Sequence, residues 1–191
     1  MQINLTCQEE SSEEAAEFLS DSDGVVAVDL AGAEALFPTS DYEKLFAHAR
    51  AEGIPFTIHA GEAAGPESIR QAVDYGTARI GHGVNCIHDK NLMNIIAEKG
   101  ITLELCPTSN LNTKIVNDIK DYPIDKIINN KIKVTINTDN MTVSGTDEAS
   151  EMKLICDTFG YDGNMRRIFV DNAIDAAFLS NEMKEKLRGN L

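Results

Sequence analysis

No stretch of the 191-residue sequence approaches the about 20 continuous apolar residues of a membrane-spanning helix, so no membrane association of that kind is expected. The opening MQINLTCQEESSEE has neither a basic n-region nor an apolar h-region. A secretory route is therefore not expected, and the cytoplasm is the expected compartment. Cysteine is sparse: Cys7, Cys86, Cys106 and Cys156 stand apart without a CxxC pair, which argues against a disulfide framework or a zinc ribbon and for free, mostly buried thiols. Positive charge is short as well. Seventeen Lys and Arg face 31 Asp and Glu, a net charge of −14 that would repel a phosphate backbone or an anionic membrane surface, so nucleic acid is not an expected partner. No Gly/Ser-rich linker, low-complexity tract or charge shift divides the chain, and residues 1–191 read as a single domain.

What is present is a globular composition, 42% hydrophobic and 25% charged, arranged as short β-branched runs alternating with capped helical stretches. Candidate strands cover Ile3–Cys7, Val25–Leu30, Phe56–His59, Ala78–Gly81, Ile101–Cys106 and Ile132–Asn137. Ser11 with Glu14 and Ser40 with Glu43 fit capping boxes, Pro66 fits a first helical position, and Gly53, Gly76 and Gly100 fit helix ends. Leu45, Phe46 and Ala49, then Ile69, Ala72 and Val73, then Leu92, Ile95 and Ile96 each make one buried stripe. Strands that alternate with helices and are apolar through most of their length predict a parallel sheet covered by helices. After Asn137 only helices are expected, with apolar faces from Leu154 and Ile155, from Met165, Ile168, Phe169 and Ala173, and from Met183 and Leu187. The acidic stretch Gln8–Glu17 reads as the solvated face of a capped helix.

Polar and ionisable residues recur at the strand C-terminal ends: Asp29 in VDLAG, His59 and Glu62 in IHAGE, His82 in IGHG, Cys106 to Asn110 in CPTSN, and Asp139 and Asn140 in NTDN. In a parallel α/β barrel that rim is where an active site is assembled. His59 and Asp139 are ligand types suited to zinc, Glu62 is a carboxyl group suited to proton transfer, and His82 can orient or deprotonate a metal-bound water. Gly32, Gly61, Gly81 and Gly83 let backbone approach a flat ligand. His48, in YEKLFAHARAEG, reads as a helix-face residue, and His88, in NCIHDK, as a neighbour of a helix cap.

The ordered set VDLAG, HAGE, RIGHG, LELCPTSN and INTDN, with the ending NAIDAAFLSNEMKEKL, closely resembles the adenosine deaminase family of the amidohydrolase superfamily, over nearly the whole chain. The resemblance implies an α/β fold of (β/α)8 type and zinc-dependent hydrolysis of adenosine or deoxyadenosine to the inosine product and ammonia. It further implies that His59 and Asp139 bind zinc and that Asp139 also accepts a hydrogen bond from the attacking water. Glu62 would protonate purine N1, and His82 would orient the zinc-bound hydroxide. The Gly32 backbone N–H would face purine N3. Asn140 stands where many family members carry a second aspartate, whose implied role is a hydrogen bond to purine N7; an asparagine NH2 donates such a bond without needing a proton.

Members of the family also open with an H-x-H strand that supplies two zinc ligands. This sequence has four histidines and no H-x-H. Its start matches the family's third barrel strand, so a partial barrel of six parallel strands plus C-terminal helices is expected. The deficit is the first two strands with their helical insertion, roughly 150 residues when a typical barrel runs to about 250 or more. Two firm ligands fall short of the three that a catalytic zinc uses, so the isolated chain is expected to bind zinc poorly and to turn over little substrate. The strands flanking the gap would have open edges, which predicts dimerisation, domain swapping, rearranged closure, or assembly with an N-terminal fragment. Two other readings stand beside the deaminase: a remnant or purine-binding module without a competent metal site, and another amidohydrolase such as an adenine or nucleotide deaminase. The acidic chain, without a basic cluster near the rim motifs, argues against a phosphorylated substrate.

Overall fold

Each β-branched run becomes a strand. The computed structural model describes residues 2–6 and 26–190 and contains β1 (Gln2–Thr6), β2 (Ala27–Ala31), β3 (Phe56–Ala60), β4 (Arg79–His82), β5 (Thr102–Leu105) and β6 (Lys133–Ile136). All neighbouring strands pair in parallel, in the sequence order β1-β2-β3-β4-β5-β6. Sequential parallel pairing with intervening helices is the arrangement of a (β/α) barrel wall. Among the described residues β1 and β6 do not pair with each other, so the wall is an open arc and rearranged closure is not adopted. Cys7, the Ser11–Glu14 capping box and the acidic Gln8–Glu17 stretch lie outside the described residues.

The outer helices begin and end where local chemistry places them. They are α1 (Glu43–Ala51), α2 (Pro66–Asp74), α3 (Lys90–Lys99), α4 (Pro107–Asn112) and α5 (Ile124–Asn129). Pro66 opens α2, where its missing N–H is not needed, and Gly100 closes α3 at φ 67°, a left-handed value that glycine adopts without a Cβ clash. The Ser40–Glu43 capping box does not form. Pro38, at φ −66°, starts a 3-10 turn over Thr39–Tyr42 that runs into α1, and Ser40 Oγ donates to Asp41 Oδ1 at 3.3 Å instead. Leu45, Phe46 and Ala49 on α1 and Ile69, Ala72 and Val73 on α2 are buried as the periodicity predicts. On α3, Leu92, Met93 and Ile96 form the buried stripe and Ile95 lies at its half-buried margin. Ile58, Ile80 and Leu103 from three adjacent strands are fully buried against these faces. Burying a side chain of that size is worth about 1.5–3 kcal/mol.

Beyond β6 come α6 (Met141–Ser144), α7 (Glu148–Phe159), α8 (Gly163–Ala176) and α9 (Asn181–Gly189). Ile155 and Phe169 are buried as expected, but Ile168, Ala173, Met183 and Leu187 are exposed, and α9 buries none of its residues. Helix α8 turns Phe169 and Ile174 inward, with Met165 packed beside them at the core's margin, and leaves Ile168 and Ala173 on its outer side. On the inner side of the arc, Arg79 Nε lies 3.0 Å from Glu104 Oε1, and Thr57 Oγ1 donates to Glu104 Oε2 at 2.7 Å. The same arginine donates to the Ala176 carbonyl at the end of α8 and sits over the Phe178 ring, which pins the C-terminal helices to the wall.

Candidate active site

The strand ends bring the expected residues to one rim. His59, on β3, and His82, closing β4, stand on adjacent strands with ring centroids 5.1 Å apart, edge to face. His59 Nε2 lies 3.7 Å from Asp29 Oδ1, midway along the neighbouring strand β2. Glu62, just past β3, places Oε2 at 3.5 Å from His82 Nε2. On α4, Asn110 Nδ2 contacts His82 Nδ1 at 3.1 Å and Glu62 Oε1 at 3.4 Å, while Thr113 Oγ1 reaches the same carboxylate oxygen at 3.2 Å. Asp139 follows β6 and is exposed; its Oδ2 accepts from Ser109 Oγ at 2.7 Å. A cavity of about 600 Å³ is shared by Asp29, His59, Cys106, Asp139 and Asn140. Gly32 occupies a smaller recess beside His59 and Glu34. The expected residues therefore converge in two groups, Glu62 with His82 and His59 with Asp139 across the cavity. His48 lies on α1 and His88 just before the α3 cap Asp89, both as expected.

Backbone conformation singles out two of them. His82 (φ 60°) and Asp139 (φ 57°) are left-handed without being glycine, and the other two such residues, Lys114 and Lys131, end helical segments. A non-glycine residue held there costs on the order of 1–2 kcal/mol, and such strain concentrates at functional positions.

Three of the rim glycines stand against side chains of the protein itself. A Cβ on Gly61 would meet Ile69 at 2.2 Å, one on Gly83 would meet Leu103 at 2.8 Å, and one on Gly81 would meet His59 Cδ2 at 2.6 Å. These three make room for the protein's own side chains. Gly81 has an ordinary strand conformation, so Gly81→Ala is expected to keep the fold and displace the His59 ring. The measurement is the His59 side-chain NMR signal against the backbone amide spectrum; an unmoved ring in a folded variant would sink the assignment.

Two buried carboxylates that sequence reasoning did not single out hold the rim loops. Glu34 accepts N–H groups from Gly61 (2.6 Å), Glu62 (3.1 Å), Ala63 (2.8 Å) and Ala64 (3.0 Å), as well as the Ser68 hydroxyl. From the other side Asn85 Nδ2 donates to the Glu62 and Ala64 carbonyls, at 3.0 and 2.9 Å. Glu151, fully buried on α7, accepts from the Thr108 N–H at 3.0 Å and the Thr146 hydroxyl at 2.7 Å, which fixes the start of α4. The only sequence signal for Glu34 is its place just past a strand end; Glu151 has none, because Thr108, whose N–H it holds, lies 43 positions earlier.

Burial holds the His82 imidazole below the ordinary histidine value, against the pull of the Glu62 carboxylate. Cys106 is pushed well up by burial and by the Asp139 and Glu104 carboxylates, so it stays a thiol. Cys86, Cys106 and Cys156 are free and buried, as expected. Imidazole and carboxylate are donors that suit zinc, but among the described residues no three His, Cys, Asp or Glu side chains converge as a metal cage. The donor types fit zinc and their number does not complete its shell.

The sequence profile of the adenosine deaminase family matches residues 1–191. The chain belongs to the adenosine deaminase family. An adenosine deaminase of Haemophilus ducreyi is 46% identical over 168 residues, which is 88% of this chain and 49% of the relative. The chain spans about half the length of the curated relatives it matches. Among solved structures, an adenine deaminase from Arthrobacter aurescens superposes with a TM-score of 0.91 at 23% identity, covering 97% of this chain and 58% of that one. An amidohydrolase from Burkholderia ambifaria with bound zinc superposes at 0.88 and 22% identity, covering 97% and 54%. At these identities the superpositions establish a shared fold. Among the described residues no helix is long and apolar enough to cross a membrane.

Proposed function

We propose that this chain carries the acid–base side of an adenosine deaminase active site, which removes the 6-amino group of adenosine or deoxyadenosine hydrolytically. The observation that carries the reading is the cluster of Glu62, His82 and Asn110 at the rim, beside the cavity that holds His59 and Asp139. Glu62 as the carboxylic acid gives a proton to purine N1, which draws electrons from C6. His82, through Nε2, orients the oxygen that adds to C6, and Asp139 accepts a proton from it. Asp139 passes that proton to the 6-amino group, the C6–N bond breaks as the added oxygen becomes a carbonyl and gives its remaining proton back to Glu62, and ammonia leaves. The Gly32 N–H faces purine N3. The Asn140 carbonyl oxygen caps α6 by accepting from the Val143 N–H at 3.0 Å, which leaves its NH2 to donate to N7. Zinc, when bound, supplies a water whose pKa falls to about 7, and His59 and Asp139 are this chain's donors to it.

The test is a hybrid in which this chain replaces the matched segment of the Haemophilus ducreyi relative. Release of ammonia and inosine from adenosine is expected. A folded, zinc-loaded hybrid that leaves adenosine unchanged would overturn the reading.

A second reading is a module without a competent metal site, since His59 and Asp139 are two donors where a catalytic zinc uses three. Purified chain equilibrated with zinc and freed of excess is expected to retain well under one metal ion per chain by elemental analysis. Stoichiometric retention would contradict that expectation and show that the chain completes a shell by itself.

A further inference from the structure

Asn110 is fully buried and Tyr122 nearly so, and together they form a relay that ends on the Glu62–His82 pair. The Tyr122 hydroxyl donates to Asn110 Oδ1 at 2.9 Å. That fixes which way the Asn110 amide points: its carbonyl faces Tyr122, and its NH2 faces the site. The NH2 has two protons and meets two acceptors, His82 Nδ1 at 3.1 Å and Glu62 Oε1 at 3.4 Å. The reverse orientation sets the amide oxygen against a carboxylate oxygen and points an NH2 at the proton of Tyr122. Both ends of the amide therefore agree on one arrangement. An N–H aimed at Nδ1 requires a lone pair there, so the proton of the neutral imidazole stands on Nε2, 3.5 Å from Glu62 Oε2.

We propose that Tyr122 and Asn110 are positioning residues that set His82 as the Nε2–H tautomer and hold Glu62 beside it. The importance of that setting rests on the acid–base roles proposed above. A wrong tautomer would set a lone pair, in place of a proton, 3.5 Å from Glu62 Oε2, at a buried Nε2 that makes no hydrogen bond among the described residues.

The tautomer is read in the full chain, without substrate, by long-range proton–nitrogen correlation of its histidine rings, with His82 assigned from the signals missing in His82→Gln. The wild-type chain at mildly alkaline pH is expected to show Nε2 protonated and Nδ1 bare. Tyr122→Phe frees the amide to rotate and is expected to give a mixture of tautomers; Asn110→Asp puts an acceptor opposite Nδ1 and is expected to give Nδ1–H. Wild type with Nδ1–H, or either variant folded with the tautomer unchanged, overturns the proposal. Variants that simply lose their backbone amide dispersion assign the pair to stability alone and overturn it too. In the hybrid enzyme, Tyr122→Phe is expected to lower kcat roughly tenfold, about the worth of one hydrogen bond, with KM changed much less. An inactive hybrid with the expected tautomers counts against the deaminase reading and leaves the relay standing; an active hybrid with the wrong tautomer does the reverse.

Discussion

Glu62→Gln in the hybrid enzyme is expected to cut kcat by about 10²–10⁴-fold, the usual contribution of a positioned general acid or base, while zinc content and unfolding midpoint stay close to wild type. The amide keeps the shape of the side chain. Its oxygen can still accept from Asn110 Nδ2 at the position of Oε1, so the rim keeps its packing. It has no acidic proton to deliver, so N1 stays unprotonated and C6 a poor electrophile. The deciding comparison is metal analysis beside turnover. Equal loss of zinc and activity would make Glu62 a metal-site residue, and unchanged turnover would remove it from the reaction. Asp139 provides the contrast, because a residue assigned to both metal and water has to lower both readouts together when replaced by Ala.

Glu34→Ala is expected to destabilise the chain by about 2–4 kcal/mol, since each buried donor left without an acceptor costs roughly 1–3 kcal/mol and water reaches part of this loop. Four consecutive N–H groups, Gly61 to Ala64, converge on that carboxylate, and only the Gly61 bond is wholly buried. Glu34→Gln keeps one acceptor oxygen but turns an NH2 toward the remaining N–H groups, so it is expected to fall between alanine and wild type. Urea unfolding gives the ranking. Hydrogen exchange gives the location, with faster exchange confined to residues 61–64 in the folded variant. Unchanged protection there would show that Asn85 and the strand end hold the loop without Glu34.

Most of the wall was legible in the sequence because its cause is local. A β-branched run such as Phe56–His59 has few alternatives to a strand, and Pro66 and Gly100 mark helix ends by their own backbone limits. The Ser40–Glu43 box failed because Pro38, outside the four-residue pattern, started the turn earlier. The apolar faces of α8 and α9 failed for another reason. Periodicity says that a helix has an apolar stripe, whereas which stripe is buried depends on what packs against it, and Ile168, Met183 and Leu187 have too little packed against them to be buried.

The site divides in the same way. His59, Glu62, His82, Asp139 and Asn140 were visible because motifs at strand ends carry them, and parallel strands bring their C-terminal ends to one rim. What the motifs could not show is how those side chains are aimed. Glu34 meets residues 61–64 from about thirty positions earlier, Asn110 meets His82 from 28 positions later, and Tyr122 stands behind Asn110. Nor could the motifs show that the glycines of HAGE and RIGHG leave room for Ile69, His59 and Leu103. By itself, then, the sequence determined the strand order, the family and the residue types at the rim, because these follow from local propensity and short motifs. Only the tertiary structure decided the orientation of His82 and Glu62, the left-handed backbone at His82 and Asp139 and, among the described residues, that β1 and β6 keep the expected open edges in place of a rearranged closure. Those depend on hydrogen bonds and packing between segments far apart in the chain, whose geometry exists only once the wall has formed.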